Sequence, residues 1–418
     1  MSSFAPVPEQ LARLESGVVD LLVRAELQQR LEESRKAARP LRVKAGFDPT
    51  RPDLHVGHAV VLQKMRLFQD LGHTAIFLIG DFTAMVGDPT GANESRPRLT
   101  REEVERSAET YLDQAFKVLD RDKVELRRNS EWLDKTSLVD AVGLMAKSTV
   151  SRMLERKDFR QRFDDERAIH QHEFLYPLLQ AYDSVVLECD VELGGTDQLF
   201  NLTLGRDLMG KYGKRPQIVM TTPILEGIDA RYEGGEITGK KMSKSADNYI
   251  GLREDPLAMF RKSMQIDDDV IFRFFQLLSS RTPAEVAALK EEKARGRDPR
   301  EIKAIFAREI VERFHDAKAA ERAAREFAGA YGKDEFPEEA PSIEIAPSGG
   351  IAELAWALKQ ANLAESTNAA RRLIEQGGVE LDGQRATDPK ARLLPGSVHL
   401  VRVGSKNRRF ARIVISAG

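Results

Sequence analysis

The 418-residue chain predicts an α/β fold with a doubly wound parallel sheet in its first half, an α-helical region after it, and a small α+β module at the end. Three observations carry this expectation. Strand and helix signals alternate from Leu41 to about Thr222, which argues a parallel sheet with its ligand at the carboxyl ends of strands. Residues 255–330 then turn helical and rich in Ala, Glu, Arg and Lys, with Phe272, Phe275 and Leu278 at the helical spacing of core positions. From Ile351 onward the balance shifts to 11 basic against 6 acidic residues, while the whole chain carries −2.

In chain order, residues 8–37 read as one helix with apolar Leu11, Leu14, Val18, Leu21 and Leu22. Leu41 to Ala45 alternates as a strand should; Gly46 and Pro49 break it, and Asp53 stands where it could cap a helix running from His55 to Leu71. Ala75 to Ile79 is an apolar strand run. The polar stretch from about Arg101 to Gln171 reads as a helical insertion, its apolar positions Leu138, Val142, Met145 and Val150 being compatible with ordinary core packing. Tyr176 to Asp183 fits a helix, Val191 to Leu193 a short strand running into a helix near Asp197, and Gln217 to Thr221 a further strand. Glu233 to Lys240 is polar and glycine-rich with no helical period, and predicts a mobile loop. Prolines, glycines and acids between Tyr331 and Gly350 mark a linker. Ala352 to Ala361 reads as helix; Ser366 to Glu375 reads as a capped helix, with a glycine stop at Gly377-Gly378 and a strand from Val379. The expected domains are residues 1–230, 231–335, the linker 336–350, and 351–418.

Composition sets outer bounds. With 64 basic and 66 acidic residues the chain is not a globally basic nucleic-acid binder, so any RNA contact must use local patches. Cys189 is the single cysteine, which excludes an intramolecular disulfide and a cysteine-cluster zinc site; no structural metal is expected. The N-terminus has acidic residues and no signal-like apolar run, and no stretch has membrane length, so the expected location is cytoplasmic.

Two motifs point to chemistry. His55-Val56-Gly57-His58 falls at a strand-to-helix turn, where backbone N–H groups and the helix dipole favour anions. Gly57 would let an adenine ring lie against the backbone, and both imidazoles can donate to phosphate oxygens. Far downstream, Lys241-Met242-Ser243-Lys244-Ser245 presents cations on flexible stems suited to a pyrophosphate leaving group. On a helix, Tyr176, Gln180 and Asp183 share one face, too polar for ordinary core and suited to a pocket wall, although a satisfied half-buried face fits the same pattern. Asp197 reads equally as a ribose-binding carboxylate or a helix N-cap.

These motifs, with Gly80-Asp81-Phe82-Thr83-Ala84-Met85-Val86-Gly87-Asp88-Pro89-Thr90-Gly91 and Gly194-Gly195-Thr196-Asp197-Gln198, resemble the class I aminoacyl-tRNA synthetases and more narrowly the bacterial tyrosyl-tRNA synthetases, along essentially the whole chain. The resemblance implies a Rossmann-like catalytic domain and a tyrosine–tRNA ligase using ATP, with Mg²⁺ and no prosthetic group. It places His55, His58, Lys241, Lys244 and Thr50 in catalysis. Asp48, Gly57, Gly195, Asp197 and Lys244 would hold ATP and the adenylate; Asp88, Tyr176, Gln180, Asp183 and Gln198 would hold tyrosine, with Asp183 accepting its phenolic hydroxyl. The helical insertion would contribute to a homodimer. The tail resembles a small RNA-binding module first known from a ribosomal small-subunit protein, with Arg371, Arg372, Lys406, Arg408, Arg409 and Arg412 as tRNA phosphate contacts; a solvated basic face is the alternative.

One position departs from the pattern. Many relatives carry a tyrosine where this chain has Lys44, so hydroxyl recognition is expected to rest mainly on Asp183, with Lys44 either beside the phenol or pointing away. Two rival classes stay open on sequence: a small-molecule adenylyltransferase, which would not need Asp183 or the basic tail, and an RNA-binding paralogue with a decayed site.

Overall fold

The computed structural model describes residues 4–90, 99–331, 340–347, 351–382, 384–404 and 409–416. By contacts the chain divides into two compact units, one up to Ala320 and one from Glu321.

The first unit is built on a sheet of β1 (Leu21–Leu22), β2 (Arg42–Phe47), β3 (Thr74–Ile79), β4 (Val124–Arg128), β5 (Val191–Gly195) and β6 (Ile218–Thr222). The order is β1-β6-β5-β2-β3-β4, parallel throughout except for β1, which runs antiparallel to β6. The chain builds outward from β2 through β3 to β4, then returns to the other side of β2 for β5 and β6. The order therefore reverses between β2 and β5, and a crevice opens at their carboxyl ends. Val43, Ile76, Phe77, Val191, Val219 and Met220 are buried in the sheet, as a parallel sheet covered on both faces requires.

The helices of this unit are α1 (Val7–Glu15), α2 (Arg24–Ala37), α3 (Val56–Asp70), α4 (Asp81–Val86), α5 (Arg101–Ala115), α6 (Ser130–Leu133), α7 (Leu138–Met145), α8 (Val150–Met153), α9 (Lys157–Asp164), α10 (Gln171–Leu187) and α11 (Leu199–Lys211). Beyond a hairpin of β7 (Arg231–Glu233) and β8 (Glu236–Thr238) follow α12 (Pro256–Gln265), α13 (Ile271–Leu278), α14 (Pro283–Ala294), α15 (Pro299–Phe314) and the start of α16 (Ala317–Tyr331), most of which is counted in the second unit. Phe272, Phe275 and Leu278 are buried core positions.

Several boundaries differ from the sequence reading. Residues 8–37 form two helices, because Gly17 adopts a left-handed backbone and Leu21–Leu22 pair with the free edge of β6. Asp53 does not cap α3. The chain from Asp48 to Leu54 holds Pro49 and Pro52 and stays irregular, leaving His55 as the N-cap. The polar stretch 101–171 is not wholly helical: Val124–Arg128 joins the central sheet beside β3. Glu233 to Lys240 is not an open loop but contains the β7–β8 hairpin, turned by Gly234 and Gly235 at φ of 61° and 93°.

In the second unit β9 (Ser342–Ile345), β11 (Val379–Leu381), β12 (Gln384–Arg385), β14 (Val398–Val403) and β15 (Arg409–Ile415) form a sheet in the order β12-β11-β14-β15-β9, beside a pair of β10 (Ala352–Glu353) and β13 (Arg392–Leu393). The stretch read as linker thus supplies a strand, β9, parallel to β15. Helices α17 (Leu354–Gln360) and α18 (Thr367–Glu375) cover a core that includes Leu354, Leu358, Ile374, Val401 and Ile413. Ser366 caps α18 by accepting from the Ala369 N–H at 3.1 Å.

Candidate active site

A cavity of about 680 Å³ opens where the sheet order reverses. Every residue expected from the motifs lines it: Asp48, Thr50, His55, Gly57 and His58 from the β2–α3 turn, Asp88 after α4, Tyr176, Gln180 and Asp183 from α10, Gly195, Asp197 and Gln198 after β5, and Lys241 with Lys244 from the lysine segment.

The turn is built around its two histidines. The backbone N–H of His55 donates to His58 Nδ1 at 3.1 Å, so the neutral His58 ring keeps its proton on Nε2. Burial, with Lys244 and Lys241 nearby, pushes His58 down to about 3 and His55 well below its usual value. Both rings are therefore neutral donors. The rings lie 3.8 Å apart between centroids, and His55 Nδ1 is buried. A Cβ at position 57 would come within 2.9 Å of the His55 ring, so glycine is required for the histidines to sit this way.

The lysine segment is anchored rather than loose. Met242 is buried and donates its N–H to Leu225 O at 3.0 Å, while Asn248 Oδ1 accepts from the Ser243 N–H at 2.8 Å. This explains the methionine between the lysines: it plugs into the fold and leaves the flanking cations at the cavity. Lys241 Nζ pairs with Asp197 Oδ2 at 2.5 Å. Lys244 Nζ donates to the backbone oxygens of Asp53 and Arg51 and lies 3.4 Å from the Tyr111 hydroxyl, its pKa drawn down to about 8 by burial.

Carboxylates line the opposite wall. Asp48 accepts from Tyr176 Oη at 2.9 Å and Thr83 Oγ1 at 2.8 Å, and burial pushes it up to about 7. Asp88 accepts from Thr90 and, at 3.1 Å, from Gln198 Nε2. Gln180 Oε1 accepts from Asn201 Nδ2 at 3.0 Å, and Arg156 steadies that amide and Thr90. Asp183, 2% exposed, accepts from Trp132 Nε1 at 2.9 Å and Asn129 Nδ2 at 3.2 Å; burial raises it to about 7. Each of its oxygens retains a lone pair for a ligand donor.

Asp197 is not a helix N-cap. Gly195 and Gln198 occupy the cap positions of the short 3₁₀ turn and of α11, which leaves the Asp197 carboxylate to Lys241. Lys44 does not point away: it is fully buried on β2, lines the same cavity, and pairs with Glu192 at 2.9 Å.

Sequence reading missed Thr83, Asn129, Trp132, Tyr111, Arg156, Asn201 and Glu192. Asn129 and Trp132 had a readable signal, since Val-Glu-Leu-Arg-Arg before them alternates as a strand that would end beside Gly80. The others make contacts set only by the fold. In the second unit Arg371 and Arg372 are exposed on α18, and Arg409 donates to the backbone oxygens of Asn362 and Leu363. Lys406 and Arg408 lie outside the described residues.

A family model described as tRNA synthetases class I (W and Y) matches residues 36–332, and one described as S4 domain matches residues 357–399. A tyrosine–tRNA ligase 2 of Vibrio vulnificus is 48% identical over 412 residues, covering 99% of this chain and 100% of the relative. The chain belongs to the class I tyrosyl-tRNA synthetases. A tyrosine–tRNA ligase of Shewanella oneidensis is 46% identical over 98% of this chain and 100% of its own length. Among solved structures, a C-terminally truncated mitochondrial tyrosyl-tRNA synthetase of Aspergillus nidulans shares the fold at a TM-score of 0.63 and 22% identity, covering 78% of this chain and 94% of that one. A tyrosyl-tRNA synthetase of Archaeoglobus fulgidus complexed with L-tyrosine does so at 0.59 and 23%, covering 76% and 100%.

Proposed function

We propose that this synthetase is a tyrosine–tRNA ligase that converts L-tyrosine and ATP to tyrosyl-adenylate and pyrophosphate, then passes the tyrosyl group to the 3′-terminal adenosine of tRNA(Tyr). The observation that carries the reading is Asp183, a buried carboxylate that lines the same cavity as the histidine turn and the lysine segment. A hydroxyl-binding site of this kind rejects the analogue lacking the hydroxyl, because its polar groups would be left unpaired.

Asp88, Tyr176 and Gln180 surround the substrate ammonium, and Gln198 stands beside them. The tyrosine carboxylate attacks the α-phosphorus, and no side chain acts as nucleophile. Asp197 and Gly195 take the ribose, with Gly57 against the adenine and Asp48 near the adenylate. As ribose hydroxyls engage Asp197, Lys241 is released toward the phosphates. His58 Nε2–H, His55, Thr50, Lys241 and Lys244 then stabilise charge on the departing pyrophosphate. Mg²⁺ enters with ATP as part of the substrate and needs no cage of its own.

Transfer requires tRNA, and Arg371, Arg372, Arg409 and Arg412 are the basic groups offered for its phosphates. Leu138, Val139, Val142 and Met145 of α7 and Val150 of α8 are exposed, between 44% and 80%, which favours a second copy of the chain as their partner. Among the described residues no helix is long and apolar enough to cross a membrane.

The test is ATP–pyrophosphate exchange with each of the twenty amino acids, repeated with Asp183→Ala. Exchange driven by tyrosine alone, with kcat/KM reduced about tenfold to a hundredfold and less selective against phenylalanine in the variant, supports the reading. Exchange driven by tryptophan, or none, refutes it.

A further inference from the structure

The reaction above leaves unused a charge pair at the Asp183 end of the cavity. Lys44 on β2 and Glu192 on β5 are register partners across the point where the sheet order reverses, and both are buried. Central strands of a parallel sheet are ordinarily apolar here, and desolvating two charges is costly, so the pair calls for a reason beyond packing. Glu192 is held on both oxygens: besides Lys44 on Oε1 it accepts on Oε2 from Ser184 Oγ at 3.1 Å and from Gln217 Nε2, which is itself held by Leu202 O at 3.1 Å. Lys44 also donates to Ser184 Oγ at 2.7 Å, the residue next to Asp183. The ammonium is therefore fixed from two sides, by Glu192 and by Ser184.

We infer that Lys44, held in place by Glu192, favours the hydroxyl-accepting form of Asp183 and so acts as a positioning residue for phenol recognition. The inference rests on the tyrosine reading above. The hydrogen-bond donors Asp183 already has, Asn129 and Trp132, are neutral. The charged or titratable groups facing it are Lys44 from β2, Glu192 from β5, Asp48 just past β2, and Tyr176 on its own helix. Cys189, near the pair, is pushed up to about 12 by burial and stays neutral. Burial drives Asp183 upward; Lys44 is the foremost influence drawing it back, and Glu192 opposes Lys44. The two members of the pair thus act on Asp183 with opposite signs.

That opposition defines the experiment. The kcat/KM for tyrosine and for phenylalanine is measured by ATP–pyrophosphate exchange from pH 6 to 9 on the full chain, for Lys44→Met, Glu192→Gln and the double variant. In Lys44→Met the acid limb for tyrosine moves to higher pH, costing about fivefold at pH 7 for the first unit moved and about tenfold for each unit beyond, and the tyrosine-to-phenylalanine ratio narrows. In Glu192→Gln the limb moves to lower pH. A pair that only fills the core would destabilise the fold in both single variants and displace neither limb. Should Lys44→Met not fold, the double variant, which leaves no unpaired charge, is read instead, with its limb above that of the wild type. Limbs that coincide in all forms, or that move together, overturn the inference while leaving the tyrosine reading intact. Absence of tyrosine-driven exchange in the wild type refutes that reading, before any variant is compared.

Discussion

At position 58 the backbone chooses the tautomer. The His55 N–H occupies Nδ1, so the ring proton sits on Nε2, and burial keeps the ring neutral down to about pH 3. His58→Ala should lower kcat about 10²- to 10³-fold with little change in KM for tyrosine, since a donor to charge that develops late binds the ground state weakly. Steady-state exchange kinetics check this. The acid limb of activity then belongs to carboxylates, not to His58. Asp183, the carboxylate proposed to accept the phenol, is raised to about 7 by burial, so its ionised form dominates above that pH and is lost as pH falls through it. Tyrosine should bind about tenfold more weakly at pH 6 than at pH 8, which calorimetric titration at the two values would measure.

Among the elements, α7 poses the sharpest contrast between sequence and structure. Its apolar spacing is legible, but periodicity says only that a face is covered, not by which chain. With Leu138 80% exposed and Val142 54%, the core of its own chain is not the cover. Leu138→Asp with Val142→Asp should convert a dimer to a monomer by light scattering on a sizing column, with little effect on the melting temperature of the monomer. β4 shows the converse. Its five alternating residues carry a strand signal inside a polar helical stretch, and they set Asn129 and Trp132 against Asp183.

For the whole molecule, the residues lining the cavity and the basic residues of the tail lie in different compact units. Reversing Arg371→Glu and Arg372→Glu should weaken tRNA binding about tenfold or more and lower the salt slope of log K by about 2, while tyrosine-dependent exchange stays unchanged. Filter binding across salt concentrations, beside the exchange assay, separates the two.

What the sequence by itself determined is local: the histidine turn between Phe47 and Val56, the lysine segment, the polar face of α10 and the Ser366 cap follow from short spacings and single-residue stereochemistry. Only the tertiary structure decided what completes them. Lys44 meets Glu192, Asp183 meets Trp132, and Lys241 meets Asp197 because β5 lies beside β2 and β4 lies on the far side of β3. Strand order and register are set by how all the apolar faces pack at once, and no short window of the chain carries that information.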